Sequence, residues 1–167
     1  KAYFKQKDIL VNHQIDSYND LIDNIFPKIL SQYFPLTVKI NNDKIKYIEI
    51  SILKININKP YYTENNGCTK TMTPNIARLR NFTYSLSILI DISVKYIILE
   101  DDINVETMKT INNILFCKIP ILVKSKHCIS NNDVSSECKY DTGGYSIRNG
   151  NEKVIITQER VIPKVVQ

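Results

Sequence analysis

Tryptophan is absent from this chain of 167 residues, and glycine (4), methionine (2) and histidine (2) are scarce. Each shortage excludes something. With so little glycine there is no Walker A loop and no GxGxxG turn, so no glycine-rich backbone cradle for a nucleotide phosphate is written into the chain. The two histidines, His13 and His127, form no HExxH pair, which removes the commonest zinc-hydrolase pattern. Four cysteines, Cys68, Cys117, Cys128 and Cys138, include no CxxC spacing. A zinc ribbon or thioredoxin-like site is therefore not expected, and the cysteines read as reduced thiols, mostly packed as small apolar groups. No run approaches the roughly 18 apolar residues that a membrane span needs. The N-terminal stretch from Lys1 to Asp8 carries no signal-peptide core, so the expectation is an intracellular protein, in nucleus or cytoplasm, not secreted and with no membrane partner. The first residue is not Met, which suggests a piece of a longer chain.

What is present is enough apolar material for one domain: 43% of residues are hydrophobic and 23% charged, a balance that supports a packed core and argues against a disordered tail. The net charge of +5 permits contact with nucleic acid without requiring it. Isoleucine, asparagine and lysine dominate, as expected of an AT-rich genome, that of a large DNA virus or an AT-rich microbe.

Residues 1–14 read as a polar, irregular extension, and 15–167 as one domain. From Ile15, the apolar positions Tyr18, Ile22, Ile25, Phe26, Ile29 and Tyr33 recur at helical steps. Pro27 inside this run predicts a kink or two shorter helices. Residues 36–58 read as strand, with Ile48, Ile50 and Ile52 on one parity and Leu53, Ile55 and Ile57 on the other, which calls for a bulge or bend. Thr73-Pro74 starts a short helix over 74–80, since Thr can cap and Pro suits the first helical position. Alternate residues from Phe82 to Ile98 are apolar, the mark of a long strand with one buried face. Glu100-Asp101-Asp102 is an acidic turn, 103–113 is ambiguous, and 114–123 is a strand with Pro120 at an edge or bulge. The polar stretch 129–137 has room for a short helix. Asn149-Gly150 suits a type I′ hairpin between Tyr145–Arg148 and Glu152–Gln158. The class is α+β, mostly antiparallel sheet with a long N-terminal helix and short helices.

No catalytic constellation stands out. His127 and Cys128 are adjacent, which does not make a nucleophile and its base. Asp141-Thr142-Gly143 matches the D-T-G loop of aspartic proteases, but that chemistry needs two carboxylates sharing a proton and therefore a dimer. No metal-ligating set is legible. The basic residues crowd the last third: Lys124, Lys126, Lys139, Arg148, Lys153, Arg160 and Lys164. Phosphate contact and a merely solvated surface explain that equally well.

Three blocks carry a resemblance. They are Pro74-Asn75-Ile76-Ala77-Arg78-Leu79-Arg80-Asn81-Phe82-Thr83-Tyr84, then the run from Ile119 to Cys128, then Cys138 to Tyr145 followed by Asn149-Gly150-Asn151-Glu152-Lys153-Val154 and Gln158-Glu159-Arg160. In this order and spacing the chain resembles the N-terminal part of the second-largest subunit of multisubunit DNA-directed RNA polymerases. The closest likeness is to its protrusion domain in the eukaryotic, archaeal and large-DNA-virus type. Ser146 and Arg148 depart from the family pattern, which has an aromatic and an aliphatic residue there.

The resemblance implies a nucleotidyltransferase complex in which this segment is a non-catalytic wall of the cleft. Its partners would be the largest subunit, the other polymerase subunits, template DNA, the RNA–DNA hybrid and initiation factors. It implies no cofactor in this segment, since magnesium would be held by aspartates of the largest subunit, and an incomplete protrusion, with the lobe domain to follow. On this reading the hairpin 145–160 faces nucleic acid, with Lys153 and Arg160 toward phosphate, Gln158 as a neutral contact and Arg148 as an added charge beside the turn. Gly143, Gly144, Asn149 and Gly150 would serve the backbone turns, and Arg78 and Arg80 would pin their helix to neighbouring structure. Two alternatives stand beside it: a stand-alone protein-interaction module derived from a polymerase fragment, and a dimeric aspartic protease using Asp141.

Overall fold

A computed structural model describes residues 9–39, 45–100, 103–131, 137–138, 140–156 and 158. The class is α+β with antiparallel sheets, as the alternation and helical patterns require.

The N-terminal helical run has three parts: α1 (Ile9–Asp20), a π-helical turn (Leu21–Ile25) and α2 (Phe26–Tyr33). The expected break at Pro27 takes the form of that turn. Pro27 has no N–H for the carbonyl four residues back, and just before it the Phe26 N–H reaches five residues back to the Leu21 carbonyl. The helix begins at Ile9, so residues 9–14, expected to be irregular, are helical from that point. The signal was present in Val11, which extends the stripe Ile15, Tyr18, Ile22 by one four-residue step.

The main sheet is four-stranded, in the order β1 (Leu36–Lys39), β2 (Ile45–Asn58), β5 (Ser85–Glu100), β6 (Ile103–Pro120), all pairs antiparallel. The parity change in β2 is a bulge: Ile52 pairs with Ile92 and Lys54 with Asp91, leaving Leu53 over. One extra residue inverts the alternation. Hence Ile48, Ile50, Ile52, Ile55 and Ile57 all oppose a single row of β5, namely Tyr96, Val94, Ile92, Ile90 and Ile88. β5 is one unbroken strand, but it starts at Ser85, so Phe82 and Tyr84 precede it.

The ambiguous stretch 103–113 belongs to β6. β6 carries two irregularities, one at Asn112-Asn113, at the end of that stretch, and one beyond it that leaves Phe116 over. At the first, Asn113 is left-handed (φ 57°) and donates its N–H to the Asp91 carboxylate at 2.7 Å. Pro120 ends β6, which is an edge strand of this sheet, where a missing N–H breaks no ladder. Of the acidic turn, Asp101 and Asp102 lie outside the described residues, as does most of the polar stretch, where Ile129–Asn131 form a 3₁₀ turn.

Two small hairpins complete the fold: β3 (Tyr61–Thr63) with β4 (Thr69–Thr71), and β7 (Ser146–Arg148) with β8 (Asn151–Lys153). Between them in sequence lies α3 (Pro74–Leu79), capped by the Thr73 hydroxyl, which accepts from the Ile76 N–H at 3.3 Å. The helix ends in a Schellman motif, with left-handed Asn81 (φ 55°) and the Phe82 N–H on the Ala77 carbonyl. The core gathers Ile22, Met72, Ala77, Tyr84, Leu86, Ile121, Val123, Cys128 and Ile147. All four cysteines are free, but only Cys128 is buried, while Cys68 and Cys138 are exposed. The expectation that most would be packed is corrected, because both exposed thiols sit in polar connections outside the strands.

Candidate nucleic-acid interface

The β7–β8 hairpin is built by its own turn. Asn149 (φ 50°) and Gly150 (φ 76°) are both left-handed, as a type I′ turn demands. Its register pairs Ser146 with Lys153, Ile147 with Glu152, and Arg148 with Asn151. Opposed residues share a face. One face carries Ile147, fully buried, and Glu152. The other carries Arg148 and Lys153, both exposed. Lys153, expected to meet phosphate, and Arg148, expected as an added charge beside the turn, thus lie on the same outward face. Among the described residues neither makes an ion pair.

The strand expected to run from Glu152 to Gln158 ends at Lys153. Beyond it Val154, Ile155 and Ile156 are exposed, and the Ile155 carbonyl accepts from the Gln14 side chain at 2.8 Å. The hairpin pairing stops where the chain turns to this contact with α1. Gln158 is exposed, and Arg160 lies outside the described residues.

Backbone contacts seat the hairpin on the core. Tyr84 N–H donates to the Ile147 carbonyl at 3.0 Å, and Gly150 N–H to the Phe82 carbonyl at 3.1 Å. Upstream, Val123 N–H donates to the Tyr145 carbonyl at 2.8 Å and Gly144 N–H to the Val123 carbonyl at 3.0 Å. Gly143 and Gly144 both have positive φ, and a Cβ on Gly143 would come within 2.6 Å of the Val123 carbonyl oxygen.

On the inward side a single guanidinium gathers three carboxylates. Arg78 Nε donates to Glu152 at 2.7 Å and Nη1 to Glu137 at 3.0 Å, while Nη2 lies 3.9 Å from Asp141. Nη2 also donates to the Tyr145 hydroxyl, which in turn donates to Asp141. Burial opposes the Arg78 charge, but the bonds to Glu137 and Glu152 outweigh it and hold its pKa above the usual arginine range. Arg80 stacks over Tyr62 at 5.2 Å and lies 3.9 Å from Glu64. Both arginines therefore pin α3 to its surroundings, as expected. The partners of Arg78 are 59 to 74 residues away in sequence, so no local spacing could have named them.

The remaining candidates are accounted for locally. Asp141 accepts from the Gly143 N–H at 2.9 Å as well as from Tyr145, so its carboxylate serves the turn. His127 meets Asp23 at 3.0 Å, while Cys128 packs against Tyr84 and Ser130. Among the described residues no group of three or more His, Cys, Asp or Glu side chains is arranged to hold a metal ion. Among the described residues no helix is long and apolar enough to cross a membrane.

Comparison with known proteins decides the family. A family model described as RNA polymerase beta subunit matches residues 9–166. The chain belongs to the RNA polymerase beta subunit family. It is 34% identical over 176 residues to DNA-directed RNA polymerase II subunit 2 of Arabidopsis thaliana, covering 96% of this chain and 15% of that protein. It is 32% identical to DNA-directed RNA polymerase subunit Rpo2N of Methanocaldococcus jannaschii, covering 97% of this chain and 32% of the relative. It is also 32% identical to DNA-directed RNA polymerase subunit 2 of Acanthamoeba polyphaga mimivirus, over 96% of this chain and 14% of the relative. The chain thus spans about 15% of the length of the eukaryotic subunits it matches. The resemblance carried by the three sequence blocks and the family match agree, and they displace the protease reading of Asp141.

Proposed function

We propose that this chain is a segment of the second-largest subunit of a DNA-directed RNA polymerase, forming a non-catalytic wall of the cleft that holds template DNA and the RNA–DNA hybrid. The observation that carries the reading is the similarity, over nearly the whole chain, to subunits named as polymerase subunit 2 in a plant, yeasts and a giant virus, and as Rpo2N in archaea. Nucleotidyl transfer belongs to the assembled enzyme, with magnesium on the largest subunit. The partners are the largest subunit, the other polymerase subunits, nucleic acid and initiation factors, inside the cell.

Within that frame the outward face of the β7–β8 hairpin is the phosphate-facing surface. Arg148 and Lys153 supply charge that holds a backbone without reading sequence, while Gln158 would add a neutral contact and Arg160 a further cation for phosphate. Such contacts release counterions, so affinity falls with salt by a slope of about 0.9 per phosphate neutralised on a duplex.

Two measurements test the reading. A protein carrying this sequence, isolated from its source, is expected to be far larger than this chain and to co-purify with a polymerase largest subunit. A free species of this chain's own mass, without polymerase partners, overturns it in favour of a stand-alone module. In the assembled polymerase, Arg148→Gln with Lys153→Gln is expected to lower the salt slope of template binding by about 1 to 2, and an unchanged slope removes these residues from the interface.

A further inference from the structure

We infer that Arg78 is the positioning residue for the phosphate-facing side of the hairpin, acting through Glu152. The inference rests on the reading of that face given above.

The two strands of the hairpin are held differently. β7 is seated by the main-chain bond from Tyr84 to the Ile147 carbonyl and by the buried side chain of Ile147. β8 carries Lys153, and among the described residues its one side-chain tie to structure outside the hairpin is the 2.7 Å bond from Arg78 Nε to Glu152. The Ser146 hydroxyl on the Lys153 carbonyl and the Asn151 amide on the Asn149 carbonyl both stay inside the hairpin. Glu152 points inward where Lys153 points outward, because neighbours on a strand alternate. Fixing Glu152 therefore fixes the direction in which Lys153 is presented.

Arg78 suits this task because it is itself held. Its second nitrogen is on Glu137, its third on the Tyr145 hydroxyl, and its guanidinium carbon lies 5.8 Å from the centre of the Tyr145 ring. It rises from α3, whose two ends are both capped. A planar fork can satisfy Glu137, Tyr145 and Glu152 together, whereas a lysine ammonium is a point charge on a flexible stem and cannot span the three.

The charges give the test a sign. Glu152→Gln removes a negative charge near nucleic acid, so simple electrostatics predicts tighter binding. A positioning role predicts weaker binding with a shallower salt slope, because Lys153 is no longer held toward phosphate. The experiment measures affinity of the assembled polymerase for an RNA–DNA hybrid scaffold across a salt series, for Glu152→Gln, Arg78→Lys and the double variant Arg148→Gln/Lys153→Gln. Glu152→Gln and Arg78→Lys are each expected to lower the slope by up to about 1, the share of one phosphate contact. Adding Glu152→Gln to a Lys153→Gln polymerase is expected to change little further.

Wild-type slopes in Glu152→Gln and Arg78→Lys, with a lowered slope in the double variant, overturn the positioning role and leave the interface standing. An unchanged slope in the double variant overturns both. Glu152 is half-exposed on the rim of the cluster, so its variant keeps the question open to decision even if the arginine variant fails to fold. A purely structural role would lower the unfolding temperature and leave the slope untouched below it.

Discussion

The Thr83 hydroxyl binds Asn149 twice, accepting from its backbone N–H at 3.2 Å and meeting its side-chain oxygen at 3.1 Å. The contact joins the segment after α3 to the first residue of the hairpin turn. Thr83→Val keeps the shape and loses both bonds. It is expected to cost about 1 kcal/mol in urea unfolding, the ordinary net worth of a partly exposed hydrogen-bonded group, whereas Thr83→Ser should recover most of it.

Gly150 admits no side chain. Its φ is +76°, and a Cβ there would lie 3.0 Å from Asn81 Cα and 3.1 Å from the Arg78 carbonyl oxygen. Both the strained backbone and the backbone contacts oppose substitution. Gly150→Ala is expected to destabilise by about 2–3 kcal/mol. Asn81→Gly in the same chain should return part of that loss, since it removes the nearest side chain and suits the left-handed φ at that position. A double-mutant cycle on unfolding free energies would read the coupling.

High pH should weaken the fold. Burial, with the neighbouring Cys128 next, pushes the Tyr84 hydroxyl well above the tyrosine range, and burial with the bond to Asp141 does the same for Tyr145. A pKa raised in the folded state means that the unfolded chain loses its protons first. The stabilisation is therefore complete below about pH 10 and declines as pH rises beyond it. Urea midpoints measured from pH 8 to 11 are expected to be flat and then fall. Tyr84→Phe should flatten part of that decline. At neutral pH it should cost about 1–3 kcal/mol, because the Ile129 N–H, 3.1 Å from the hydroxyl, loses its acceptor.

The cap of α3 is a further point of control. Thr73→Ala removes the acceptor of the Ile76 N–H and is expected to cost about 1 kcal/mol. Because α3 carries Arg78, the same variant should also loosen the hairpin. Faster amide hydrogen exchange at β8 than at β7 would report it.

Local chemistry was the legible part of this fold. Thr73-Pro74 announces a helix start and Asn149-Gly150 a hairpin turn because each constrains its own backbone. The parity change between Ile52 and Leu53 announces a bulge because alternation is a strict period. The same period was not legible over 103–113, which ends at left-handed Asn113, and just beyond it the extra residue Phe116 shifts the register again. No residue type marks such shifts when the ligand that steadies one, Asp91, sits on another strand. The extent of β8 was overestimated because Val154, Ile155 and Ile156 have strong strand propensity but pair with no strand among the described residues. Of the candidate site, the basic residues and the turn could be read directly. That Arg148 and Lys153 share a face follows from the register alone, once the turn type is known. The carboxylates around Arg78 could not be read, since contact between residues so distant in sequence is a property of the folded chain.

The Arg78 cluster gives the hairpin two electrical sides. One cation among Glu137, Asp141 and Glu152 leaves these four side chains with a formal charge of −2, while the opposite face bears Arg148 and Lys153. A polyanion approaching the hairpin is drawn to one flank and repelled from the other. On the proposed reading the hairpin would therefore be one-sided toward nucleic acid: crossing over the turn to the far flank would bring phosphate against like charge.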